Sequence, residues 1–346
     1  MVLRSALAIS LVFLLGLASP LASQPKARVI QKEFIYESAP FPSCHASTLV
    51  ELTNGKWMAA WFGGTDEGNK DVGIWLSTTE NGKWSKPILM AEGIITSDLR
   101  YPCWNPVLFK TNQGTLHLFY KVGPSPREWW GMVMTSENDG QSWTEPTRLP
   151  DGILGPIKNK PVQLLDGTIL SSSSTETRQS WKAHVERSAD QGKTWELIPV
   201  NPTTDLDVIQ GSILSYPDNK LQMLCRSRQN RIAEVWSEDG GKTWGKFSKT
   251  ELLNPNSGTD AVTLRNGWQV LIYNPTIRGK DWDNGRQKLY VAVSKDGNTW
   301  TDVHVLENEE RGEFSYPAVV EATDGTVHIT YTWNRKKIQH VALALN

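Results

Sequence analysis

"SEDGGKTW", residues 237–244, is one of five short phrases on a shared plan, and their spacing decides the fold. "SENDGQSW" occupies 136–143, "SADQGKTW" 188–195 and "SKDGNTW" 294–300, while "STTENGKW" at 77–84 is a worn copy. Starting at 77, 136, 188, 237 and 294, they lie 49 to 59 residues apart, too regular a spacing for accident. Each follows an extended segment such as "VGIWLS", "AHVERS", "IAEVWS" or "LYVAVS" and precedes a second extended piece. The Asp and Gly suit a tight turn, and the Trp packs back under it. The chain holds 16 tryptophans against 8 phenylalanines, and several of them belong to this phrase.

Between the phrases recur pairs of apolar strands around a turn: "TLVELTNGKWMAAW", "PVLFKTNQGTLHLFY", "PVQLLDGTILSSSS", "SILSYPDNKLQMLCRS", "AVTLRNGWQVLIYN" and "AVVEATDGTVHITYTW". Asn-Gly, Asp-Gly and similar turns between apolar strands are the strongest short-range hairpin signal. No stretch carries a long helical period. Six units of about fifty residues, each of four strands, predict an all-β, six-bladed β-propeller. It forms one domain over residues 24–346, and its last blade combines the C-terminal hairpin with the N-terminal strand "ARVIQKEFIY". The repeated phrases themselves read as turn chemistry on the outer rim.

Ahead of that domain, Arg4 precedes an apolar run over residues 6–17, followed by the small residues Ala18, Ser19, Ala22 and Ser23. The run is too short to span a bilayer, so residues 1–23 read as a signal peptide and the protein as secreted or periplasmic. With 36 Lys and Arg against 37 Asp and Glu, nothing suggests nucleic acid or an anionic membrane as a partner. Cys44, Cys103 and Cys225 allow at most one internal disulfide. Histidines 45, 117, 184, 304, 328 and 340 are scattered without zinc spacing, and there is no phosphate-binding glycine loop or serine elbow. No metal or cofactor is expected, and a monomer is.

With its phrases and hairpins in register, the chain resembles the sialidase superfamily of Asp-box propellers over essentially its whole mature length. In that superfamily an aspartate after the first hairpin serves as acid and base. The resemblance gives this role to Asp66 of "FGGTDEGNKDVGIWLS", against the plainer reading of a solvated acidic turn with Glu67 and Asp71. The nucleophile is a tyrosine just before the last hairpin, which corresponds to Tyr316 of "GEFSYPAVVEATDG". Three arginines hold the substrate carboxylate; Arg226 of "LQMLCRSRQN" matches the second and Arg286 of "NGRQKLYVAVS" the third. Two positions depart from the pattern. His45 of "CHASTLVEL" stands where the first arginine belongs. Gln210 of "DVIQGSILSYPDNK" replaces the glutamate that takes the tyrosine's proton, and an amide cannot accept one.

Histidine suits either missing job, as a cation toward a carboxylate or a base toward a phenol. In one reading Asp66 protonates the leaving group and Tyr316 attacks, so that a terminal acidic sugar is hydrolysed with His45 as activator. In another the arginines neutralise a uronate carboxylate and His45 or Tyr316 removes the C5 proton, so that a group leaves C4 by β-elimination. A third class is a sugar-binding propeller without catalysis. In each the partner is an acidic oligosaccharide or glycan. Gln210, Trp104, Asn105, Arg127, Lys158 and Lys160 are further candidates for binding it, with Lys121, Trp129, Trp130, Asn159, Asn256 and Asp260 nearby. The plainer alternatives are tryptophans filling space between blades and a solvated lysine pair.

Overall fold

The computed structural model describes residues 25–200, 205–280 and 284–345, so the leader expected at residues 1–23 lies outside the described residues. Each hairpin is built into a sheet of antiparallel strands. Blade 1 consists of Ser43–Glu51, Trp57–Gly64, Gly73–Glu80 and Lys83–Trp84, with Ile88–Ala91 also paired to the third strand. Blade 2 is Cys103–Lys110, Leu116–Val122, Trp130–Ser136 and Thr147–Arg148. Blade 3 is Val162–Gln163, Ile169–Glu176, Trp181–Ser188 and Glu196–Ile198. Blade 4 is Val208–Ser215, Leu221–Ser227, Arg231–Ser237 and Ser248–Leu253. Blade 5 is Asp260–Thr263, Gln269–Tyr273, Lys288–Ser294 and Trp300–Asn308. Blade 6 is Phe314–Glu321, Val327–Trp333 and Lys337–Leu345, and Ala27–Phe34 adds its outer strand by pairing from Ala27↔Leu345 to Phe34↔Gln339.

Second strands such as Trp57–Gly64 and Leu116–Val122 are buried along their whole length, because neighbouring blades cover both faces. The core therefore lies between blades. Phe62 and Ile74 meet Leu108 and Leu118 at one such seam, and Ile272 and Val291 meet Ile329 and Val341 at another. Cys44, Cys103 and Cys225 are buried free thiols within it.

The repeated phrases turn the third strand into the fourth. In blade 4, Ser237 Oγ accepts from Gly241 N (2.9 Å), Asp239 Oδ1 accepts from Thr243 N (2.9 Å), and Trp244 Nε1 donates to Gly241 O (3.2 Å). The same bonds recur around Asp190 and Asp296, and in blade 2 the amide of Asn138 replaces the carboxylate. The worn copy in blade 1 departs from the scheme: Trp84 Nε1 donates instead to Glu33 Oε1 (2.9 Å), on the closing strand.

Inner strands carry a second repeated feature. The ladder slips between His45 and Thr48, Trp104 and Val107, Ile209 and Ser212, and Ser315 and Ala318. Within the slips, Ala46, Asn105, Gln210 and Tyr316 have left-handed φ of 55°, 35°, 57° and 52°. A bulge re-aims a side chain and bends its strand, and for a residue as bulky as tyrosine this conformation is an outlier. Blades 1, 2, 4 and 6 thus bend at the same level, the N-terminal ends of their inner strands.

Candidate active site

Tyr316 is the focus of that level. Its Oη accepts from Arg226 Nη1 at 2.5 Å, and Arg226 also donates to Gln210 Oε1 (3.1 Å) and, through Nε, to Asn256 Oδ1 (2.9 Å). Around the phenol ring stand Arg226 Cζ at 5.6 Å, Arg286 Cζ at 5.7 Å and Lys158 Nζ at 5.8 Å from its centroid. The imidazole of His45 is 4.0 Å away, centroid to centroid. Asn256 is half-buried and the other side chains are buried. His45, Tyr316, Arg226, Arg286 and Gln210, singled out in the sequence, are therefore brought together.

Burial is the main force on His45, and the charges of Arg335, Arg286, Arg226 and Lys158 add to it; together they hold the imidazole well below its ordinary value. It is a neutral ring, and among the described residues neither nitrogen has a hydrogen-bond partner. A neutral, unbonded imidazole offers a lone pair rather than a charge, and the burial and cations that keep it neutral also weaken it as a base until an anionic ligand offsets them. Of its two possible roles, the carboxylate-binding one does not fit this environment.

A further arginine of the site is one that the sequence reading missed. Arg335 follows the second strand of blade 6, where its Nε donates to Glu313 Oε2 (2.9 Å) and its Nη1 to the carboxylate of Glu67. Arg286 Nη1 holds the other oxygen of Glu313 at 2.8 Å. Burial works to raise the Glu313 carboxyl, and Arg335 and Arg286 outweigh it, so the group is held below its ordinary range. In "TWNRKKIQH" the arginine looks like part of a solvated basic turn, and only the ring's closure carries it to the site.

Asp66 is exposed on its loop, where Oδ1 accepts from Glu67 N (2.9 Å). Glu67, its neighbour, is the residue that reaches Arg335. A second carboxyl was also missed. Glu176 ends the second strand of blade 3, half-buried; burial pushes its carboxyl up against the opposing pull of Arg226, Arg228 and Arg127.

Of the lysines, Lys158 lies beneath Tyr316 and donates to Asn159 Oδ1 (2.8 Å), Thr259 O (3.0 Å) and the carbonyl of Pro317. Burial pushes its amine down to about 7. Asn159 Nδ2 donates to Gln210 O (2.9 Å). The pair thus grips the chain at two bulges. Lys160 is paired with Asp260 (2.9 Å), and Lys121 is fully buried against the carbonyl of Pro156. Trp104 is buried, bonded to Gly123 O (2.9 Å) and set edge-on to Trp129, so both fill space between blades. Asn105 occupies the bulge of blade 2, and Arg127 is exposed at the mouth, where its charge acts on Glu176.

An aromatic hydroxyl held by one arginine, with a second arginine and a lysine over its ring and a neutral imidazole beside it, is a setting that suits an anionic ligand. Comparison with known proteins agrees with the architecture. The chain is similar to a protein of unknown function from Dyadobacter fermentans, with a TM-score of 0.75 and 18% identity over 93% of this chain and 100% of that one. It is similar also to the NanB sialidase of Streptococcus pneumoniae, with a TM-score of 0.68 and 14% identity over 90% of this chain and 70% of that one. Among curated proteins, the anhydrosialidase of Macrobdella decora is 27% identical over 168 residues, 44% of this chain and 22% of that protein's own length. The sequence model of the BNR repeat-like domain matches residues 55–329, and the chain belongs to that family.

Proposed function

We propose that the protein is a carbohydrate-active enzyme that removes a carboxylated sugar from the non-reducing end of a glycan by sialidase-like hydrolysis. The observation that carries this reading is the contact of Tyr316 Oη with Arg226 among further basic side chains, with the His45 ring 4.0 Å from the phenol ring, centroid to centroid. Arg226, Arg286 and Arg335 bind the sugar carboxylate. That orients the anomeric carbon over Tyr316, whose proton passes to His45 as the oxygen attacks, while a carboxyl at the mouth protonates the leaving oxygen. His45 does what the amide of Gln210 cannot. The NanB neighbour, named as a sialidase, and the anhydrosialidase relative support action on an acidic sugar. The leader-like residues 1–23 support an extracytoplasmic setting, and the enzyme acts there as a monomer.

One observation favours β-elimination as a second reading. With Gln210 beside the tyrosine and His45 neutral, the site holds a base suited to a C5 proton as well as to a phenol. The two are separated by incubating the protein with sialylated and with uronate-terminated oligosaccharides. Free acidic sugar without an ultraviolet-absorbing product supports hydrolysis, whereas an unsaturated uronate end supports elimination. Binding of either glycan without turnover would leave a sugar-binding propeller.

A further inference from the structure

Hydrolysis of an ordinary glycosidic bond needs a proton for the leaving oxygen, and Asp66 is exposed and turned toward its own backbone. Another carboxyl faces the same mouth. Arg226, Arg335 and Glu176 lie at or just beyond the C-terminal ends of second strands, in blades 4, 6 and 3. Glu176 pairs across its hairpin with Trp181. Over the Trp181 ring stand Arg226 Cζ at 5.5 Å and Arg228 Cζ at 4.1 Å, and Arg226 is the residue that holds Tyr316 Oη. The charges that act on Glu176 come from four side chains on three blades: Arg226 and Arg228 of blade 4, Arg127 after the second strand of blade 2, and Glu67 after that of blade 1. Directly opposed residues of an antiparallel pair share a face, so Glu176 lies on the face of its hairpin that carries Trp181 and, against it, Arg226. Its carboxylate makes no hydrogen bond among the described residues, so both oxygens are available to a ligand.

We propose that Glu176 is the proton donor to the leaving oxygen, set across the channel mouth from the tyrosine nucleophile. The inference rests on the hydrolytic reading. As the bond between the anomeric carbon and the glycosidic oxygen breaks, its electron pair goes to that oxygen, which takes the proton of Glu176. Tyr316 Oη forms the new bond to carbon, having passed its own proton to His45. Water then displaces the tyrosine oxygen and gives a proton to the Glu176 carboxylate, and His45 returns the phenolic proton. The net reaction is addition of water across one glycosidic bond. Burial keeps the carboxyl protonated to higher pH than an ordinary glutamate, as a donor requires.

The test compares leaving groups. Parent protein, Glu176→Gln and Asp66→Asn are assayed on sialyllactose, whose leaving alcohol needs a proton, and on 4-methylumbelliferyl sialoside, whose phenol does not; the corresponding glucuronides are run beside them. Glu176→Gln is expected to lose about a hundredfold or more in kcat on the oligosaccharide. On the aryl glycoside it should lose less than about fivefold, with KM retained, and the alkaline limb of the pH profile should vanish. An equal loss on both substrates, no loss, or this selective pattern in Asp66→Asn instead would overturn the assignment while leaving the function intact. A parent that turns over neither class of substrate would sink the hydrolytic reading and Glu176's role with it.

Discussion

Tyr316 combines a left-handed backbone with a buried phenol whose ring has two arginines and the amine of Lys158 within 6 Å. Backbone strain and concentrated like charge both cost stability, and a site that keeps both is organised for an anion. Tyr316→Phe and His45→Ala are each expected to lower kcat by about a hundredfold or more with KM changed little, since neither removes an arginine. Steady-state kinetics on the glycan that the parent cleaves checks this; an unaffected kcat in either variant would remove that residue from the reaction. At this scale the sequence was readable where a residue broke its own surroundings. Arg226 stands out inside the apolar strand "LQMLCRS", and Tyr316 precedes a recognisable hairpin. Arg335 and Glu176 were not readable, because a charged residue at a strand end looks the same whether it meets solvent or a channel.

Among the elements, the bulged inner strands and the third-to-fourth-strand turns do different work. Lys158 fixes the peptide after Tyr316, and Gly258 leaves room for it: a Cβ there would come within 3.2 Å of both Lys158 Cδ and Tyr316 Cδ2. Lys158→Met and Gly258→Ala should both depress kcat more than they raise KM, because they shift the nucleophile and leave the arginines in place. A loss confined to KM would instead make Lys158 a ligand contact. At the rim, Asp239 is held down at about 2 by its bonds to Thr243, from an ordinary value of 3.8. A depressed carboxyl stabilises the fold above its unfolded value, and that stability is lost as pH falls from about 4 toward 2. Asp239→Asn, imitating Asn138 of blade 2, has no charge for Thr243 to stabilise and should therefore lower Tm at neutral pH and flatten its fall in acid. Thermal unfolding across that range tests the sign. These turns were legible because their chemistry is local, "SxDxGxTW" closing on itself. The worn phrase was legible as a copy but not in its bonding, since Trp84 is held by Glu33 of the closing strand. The bulges leave only a faint trace, Pro106, Gly211 or Pro317 directly after the left-handed residue.

For the whole molecule, the ring is closed outside by the N-terminal strand and tied inside by Asp260. That carboxylate accepts from Ser212 Oγ (2.9 Å) and Val319 N (2.9 Å) and pairs with Lys160, so blades 3, 4 and 6 meet on one side chain of blade 5. Asp260→Ala leaves a lysine and several donors unpaired and should cost about 3–5 kcal/mol in chemical unfolding. A loss below about 1 kcal/mol would show that the ring does not depend on this tie. Repeat spacing made the blade number and the closing strand readable from sequence. The convergence of Glu67, Glu313 and Arg335 at one mouth was not, because it depends on which side chains face inward once the circle is complete. The most direct test of the central claim, that Tyr316 attacks an acidic sugar, is to trap the intermediate. Protein treated with a fluorinated sialosyl fluoride is digested and mapped by mass spectrometry. The account predicts one sugar adduct, on the peptide containing Tyr316, absent from Tyr316→Phe. An adduct on another residue, or turnover of the natural glycan with no adduct on Tyr316, would contradict it.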